Sequence, residues 1–145
     1  MLDASSAGAA TRRISDEVGV WRQRAQAPAD SAERRLARRI LDQVFIETYE
    51  TALYVNERRR DYPMMIANLE VRRLVSPQNS NALLELARAF ALGKRKKEAL
   101  NTLRQAVSNG FNDCARIKQA EWKSLREEPD FQEIVKRMNC SVEGS

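Results

Sequence analysis

The chain contains no histidine in its 145 residues. That absence removes imidazole as general base, metal ligand or triad member. Cysteine is scarce: only Cys114 and Cys140 occur. They do not form a C-x-x-C pair, and two thiols without histidine make a poor zinc site. They read as two unpaired structural thiols, with a disulfide tying the last helix to the segment before it as the alternative. Glycine (5 residues), proline (4 residues) and aromatics (6%) are few. That suits helical pairs packed with Leu, Ala, Ile and Val better than a sandwich or barrel. No run of roughly 18 apolar residues exists, so no membrane-spanning helix is expected. The start, M-L-D-A-S-S-A-G-A-A-T-R-R, lacks a basic stretch followed by an apolar core and does not read as a signal peptide. The expectation is a cytoplasmic chain as it stands, or an exported one if it is a fragment of a longer precursor. No glycine-rich phosphate loop, activated nucleophile or metal-ligand set occurs. The chain is therefore expected to be no enzyme, with no catalytic residues, cofactor or metal.

What the chain has is helical periodicity. Residues 1–11 read as a flexible arm, followed by a single domain over residues 12–138 and a tail over 139–145. Residues 12–26 are partly amphipathic, with Ile14, Val18, Val20 and Trp21 as docking candidates, and Pro28 ends that element. Asp30, Ser31, Ala32 and Glu33 resemble a capping box. A stretch free of glycine and proline then runs over residues 31–59. Leu36, Ile40, Leu41, Val44, Phe45, Tyr49 and Ala52 recur in it at three- and four-residue steps, as one buried stripe. At about 1.5 Å per residue this helix is roughly 40 Å long. Its N-terminal half is expected to project or to pack against Val18 and Trp21. Further helices are expected over residues 63–75, 81–92, 96–108, 114–120 and 130–138. There is no strand signal.

Residues 80–111 carry two apolar bursts separated by a polar turn at 93–97. Leu83, Leu86, Ala87, Phe90, Ala99, Leu103 and Ala106 fill the alternation of large and small positions of one tetratricopeptide repeat (TPR), and the segment resembles that family. Stepping back about 34 residues, the family's period, places Tyr49, the Asp61-Tyr62 turn, Leu69 and Pro77 on equivalent positions. Repeats are thus read at residues 46–79 and 80–113. The first departs at its small positions, filled by Leu53, Met65 and Arg72, so its hairpin is expected to be looser or differently tilted. Gly110, Phe111, Asn112 and Asp113, then Leu125, Arg126, Pro129 and Phe131, are similar to the GF-D…LR-x-x-P-x-F tail that closes bacterial arrays. Pro129 suits a first helical turn. Phe131, Ile134, Val135 and Met138 form one face able to cap the array over residues 114–138. The resemblance implies an all-α, right-handed stack of antiparallel helical hairpins with a long N-terminal helix and a C-terminal capping helix. It also implies a scaffold that binds a partner protein or peptide segment.

By that register Glu47, Glu50, Thr51, Tyr54, Glu57 and Arg58 of the first repeat face the concave groove. Asn81, Leu84, Glu85, Arg88 and Leu92 do so from the second. This mixture of carboxylates, one tyrosine and apolar surface suits a basic or neutral segment better than an acidic tail. The formal net charge is +5, and Arg60 and Lys94 stand 34 residues apart on equivalent turns. Arg58, Arg59 and Arg60 with Lys94, Arg95, Lys96 and Lys97 are therefore expected along one basic edge. Such an edge can hold a nucleic acid or another polyanion through counterion release. Aromatics do not interleave it as base stacking needs, so a protein partner is the main reading and nucleic acid the alternative. An accessory domain of a larger enzyme is a further alternative. Glu127, Glu128 and Asp130 sit at a helix start, where carboxylates meet the positive end of the dipole, and are read as structural. Trp122 is read as core of the cap.

Overall fold

A computed structural model of the chain describes residues 4–140. The described residues form helices joined by short turns, without strands. The helices are α1 (Ala4–Arg24), α2 (Ala32–Thr51), α3 (Tyr62–Val75), α4 (Ser80–Leu92), α5 (Lys96–Ser108), α6 (Cys114–Ile117) and α7 (Pro129–Arg137). A π-helical segment, Ala52–Glu57, continues α2, and a 3-10 segment, Ala120–Leu125, precedes α7. The chain divides into two compact units, Met1–Pro77 and Gln78–Ser145, where one domain over 12–138 was expected. The division falls at the P-Q-N-S stretch between the two expected repeats.

In the first unit α1, α2 and α3 pack pairwise. The expected arm over residues 1–11 is corrected: α1 begins at Ala4, because an alanine-rich segment is a good helix former even without apolar periodicity. Residues 1–3 lie outside the described residues. Val18, Leu41 and Val71 form a core lined by Trp21, Ala25, Val44, Leu74 and Val75, so the middle of α2, at Leu41 and Val44, packs on the Val18 and Trp21 segment. Ile14 and Val20 stay exposed. The buried stripe runs through Ala37 and Leu41 of α2 and Ala52 of the π segment, whereas Leu36 is 53% exposed. Ala37 takes the inner position because a small side chain allows close helix approach. Ser31, not Asp30, caps α2: its hydroxyl accepts from the Arg34 N–H at 3.1 Å, and no carboxylate stands three residues on to reciprocate.

The α2–α3 turn and the α4–α5 turn share a hydrogen-bond plan with a 34-residue offset. The Arg60 N–H donates to the Glu57 carbonyl and the Asp61 N–H to Asn56, both at 2.9 Å. The Lys94 N–H likewise donates to Ala91 (3.1 Å) and the Arg95 N–H to Phe90 (2.8 Å). Arg60 and Lys94 are both left-handed, with φ of 56° and 61°. This is the Schellman ending, which satisfies carbonyls the helix leaves open. Burial repeats too: Met65, Ile66, Leu69 and Arg72 are buried in α3, and Ala99, Leu100, Leu103 and Ala106 in α5. Where the second hairpin has Ala106, the first has Arg72, 9% exposed. Its guanidinium carbon lies 4.0 Å from the Phe45 ring centroid and 4.7 Å from that of Tyr49. The planar cation stacks on aromatic faces and fills space that a small residue would close. Asn56 is also buried, and its Oδ1 accepts from Asn68 Nδ2 at 2.9 Å.

In the second unit α4 is buried nearly all round and packs along α5. Asn79 and Asp113 cap α4 and α6 through their side chains. Phe131, Ile134, Val135 and Met138 are all buried, and α7 packs on α5. Trp122 is buried, its Nε1–H donates to the Arg116 carbonyl at 3.0 Å, and its ring lies 6.3 Å from that of Phe131. Cys114 and Cys140 are joined in a disulfide with Cα atoms 5.5 Å apart, which corrects the reading of two unpaired thiols. The thiols meet because the chain after α7 returns to the start of α6, a long-range closure that local spacing does not announce. The expected tail over 139–145 is structured at its start: Asn139 is a left-handed cap and Cys140 is cross-linked, while residues 141–145 lie outside the described residues.

Candidate functional site

The residues assigned to the groove fall in both units and are described within each. In the first unit Glu47, Glu50 and Tyr54 are exposed along the end of α2 and the π segment, and Glu57 is half-buried. Thr51 and Arg58 are exposed as well. Glu47 accepts from Gln43 Nε2 at 2.6 Å. Tyr54 is 60% exposed, with the Arg58 guanidinium 5.9 Å from its ring centroid.

In the second unit the assignment is corrected. Asn81 is exposed, but Leu84 is 1% and Glu85 5% exposed, and Leu92 is half-buried. Glu85 accepts from Arg116 of α6 and faces Arg88 at 3.6 Å. Arg88 Nε in turn donates to Glu121 at 2.9 Å. The cap thus occupies the α4 face that the repeat register offers to a ligand. A buried carboxylate persists only when paired and hydrogen-bonded, and this network supplies the pairs. Glu85 and Arg88 are therefore internal anchors of the cap.

The basic residues Arg58, Arg59, Arg60, Lys94, Arg95, Lys96 and Lys97 are all exposed. Two of those in the second unit are engaged internally. Arg95 donates to Glu98 through Nη2 at 2.9 Å and lies 4.9 Å from the Phe90 ring centroid. Lys96 pairs with Glu128 at 2.9 Å. The hydrogen bond from Arg95 holds the Glu98 carboxyl below the usual glutamate range. Arg104 pairs with Asp130 at 2.7 Å, so Glu128 and Asp130 both latch α7 to α5.

Every large apolar side chain exposed among the described residues lies in the first unit: Ile14, Val20, Leu36, Ile46, Tyr54 and Val55. Leu36, with Ala32, Arg35, Arg38 and Arg39, lines a shallow open hollow on α2. The sequence reading assigned Leu36 to the core and gave Ile46 and Val55 no role. Their signal was a hydrophobic residue off the inward stripe of an otherwise charged helix. Among the described residues no helix is long and apolar enough to cross a membrane. Comparison of the chain with protein-family models, with curated proteins and with solved structures finds no match.

Proposed function

We propose that the chain is a non-catalytic protein–protein interaction module built on two TPR-like hairpins. Its binding surface is the exposed face of α2 and the π segment. The observation that carries this reading is the exposure of Ile46, Tyr54 and Val55 on the same stretch as the exposed Glu47, Glu50 and Arg58. Apolar anchors bordered by charge are the composition of a docking patch, in which an aromatic supplies affinity and charges choose among partners. The 34-residue recurrence of turns and buried positions supports the repeat scaffold. The α4 residues Leu84 and Glu85 are left out of the surface because the fold already uses them. The polyanion alternative is weakened by the internal pairs of Arg95 and Lys96.

The test is capture of protein from a lysate on immobilised wild type and on Tyr54→Ala/Glu50→Lys. A specific protein retained by wild type and lost by the variant supports the reading. A specific protein retained equally by both, or tight salt-sensitive binding of DNA or RNA in its place, overturns it.

A further inference from the structure

We infer that the exposed face of α2 docks against the same face of a second copy of this chain, antiparallel about a two-fold axis near Gln43. The inference rests on the reading of α2 as a protein-docking surface and names its occupant. Apart from Glu33 in the first turn, which points away from the Arg35 face, α2 carries Arg34, Arg35, Arg38 and Arg39 in its first half, and Asp42, Glu47 and Glu50 after them. Beyond Glu33 this order runs against the helix dipole, which favours acidic groups at the start and basic groups at the end. Arg38, Arg39, Asp42 and Glu50 form no ion pair among the described residues. Arg35 donates one N–H to the Asp30 carbonyl at 2.6 Å, and its guanidinium keeps further donors.

A surface with cations at one end and carboxylates at the other is complementary to itself when turned by half a revolution. A two-fold interface requires that self-complementarity. With the axis near Gln43, Arg35 of one copy stands opposite Glu50 of the other, and Arg39 opposite Glu47 at the flank of the face. Successive steps of three and four residues keep Arg35, Arg39, Asp42, Ile46 and Glu50 on one helical face, and all five are exposed. Leu36 (53% exposed) and Ile46 (51% exposed) lie among these charges and supply apolar contact. A parallel pairing sets each arginine against its own copy, whereas the antiparallel pairing does this only for Asp42, beside the axis.

The experiment is sedimentation equilibrium at low salt on the full chain and two charge-reversed variants, Arg35→Glu/Arg39→Glu and Glu47→Arg/Glu50→Arg. Far-UV circular dichroism checks that the helices are intact. The expected result is a wild-type dimer weakened by salt, loss of dimer mass in each variant alone, and recovery of dimer mass when the two variants are mixed. Gln43→Cys, on the axis, should also give a disulfide-linked dimer that Lys118→Cys does not. A monomeric wild type, dimeric charge variants, or no recovery on mixing overturns the inference. A monomer that still captures a different protein through Tyr54 overturns it and leaves the interaction reading standing. Neither self-association nor capture overturns both.

Discussion

Reduction of the Cys114–Cys140 disulfide should destabilise the second unit more than any other single chemical change at its surface. The cross-link joins the start of α6 to the residue after the α7 cap across a separation of 26 residues. Its main effect is to restrict the unfolded chain, and for a loop of 26 residues the chain-entropy relation gives about 3.5 kcal/mol at room temperature. The assay is urea unfolding followed by tryptophan fluorescence in a Trp21→Phe background, with and without reductant. Trp122 is buried against Phe131 and then reports the cap alone. With a urea slope of about 1.5–2 kcal/mol per molar, the midpoint should fall by roughly 2 M on reduction. Mass spectrometry should show the oxidised protein lighter by two hydrogens. Two titratable thiols in the folded, unreduced protein, or an unmoved midpoint, would refute the reasoning.

Lys94→Gly and Arg60→Gly should each raise stability by roughly 0.5–1 kcal/mol, because glycine relieves the left-handed backbone while losing part of the gain to unfolded-state entropy. Gly110→Ala should lower it by about 1–2 kcal/mol: φ is +99° and no atom lies near the added carbon, so the cost is backbone strain alone. Ala99→Leu should cost about 1–3 kcal/mol by overpacking the α4–α5 interface, and an unchanged melting temperature would show that the contact is misplaced. Asn68→Ala should cost about 1–3 kcal/mol, since it strips the buried Asn56 amide oxygen of its donor. Thermal unfolding by circular dichroism checks each.

The elements that sequence reasoning reached are those written in local signals. The range 96–108 of α5 was legible because Ala99, Leu103 and Ala106 recur at helical steps between a polar turn and Asn109-Gly110. The capping face of α7 was legible from Pro129 and the spacing of Phe131, Ile134 and Val135. What escaped was decided by pairing at a distance. Glu85 reads as an exposed charge until Arg116, far along the chain, folds over it. Leu36 and Ala37 are adjacent, and a small rotation of α2 decides which faces inward. The two thiols approach only once α7 has docked. The helix over the first residues escaped because alanine-rich propensity carries no period.

The central claim is that the α2 face, and not the cap, is the protein-docking surface. Site-specific photocrosslinking tests it most directly, with benzoylphenylalanine placed singly at Ile46, at Tyr54 and, as a control, at exposed Gln132 of α7. The account predicts discrete crosslinked species from Ile46 and Tyr54 and none from Gln132. Adducts from Gln132 alone, or none from either α2-face position, would contradict it.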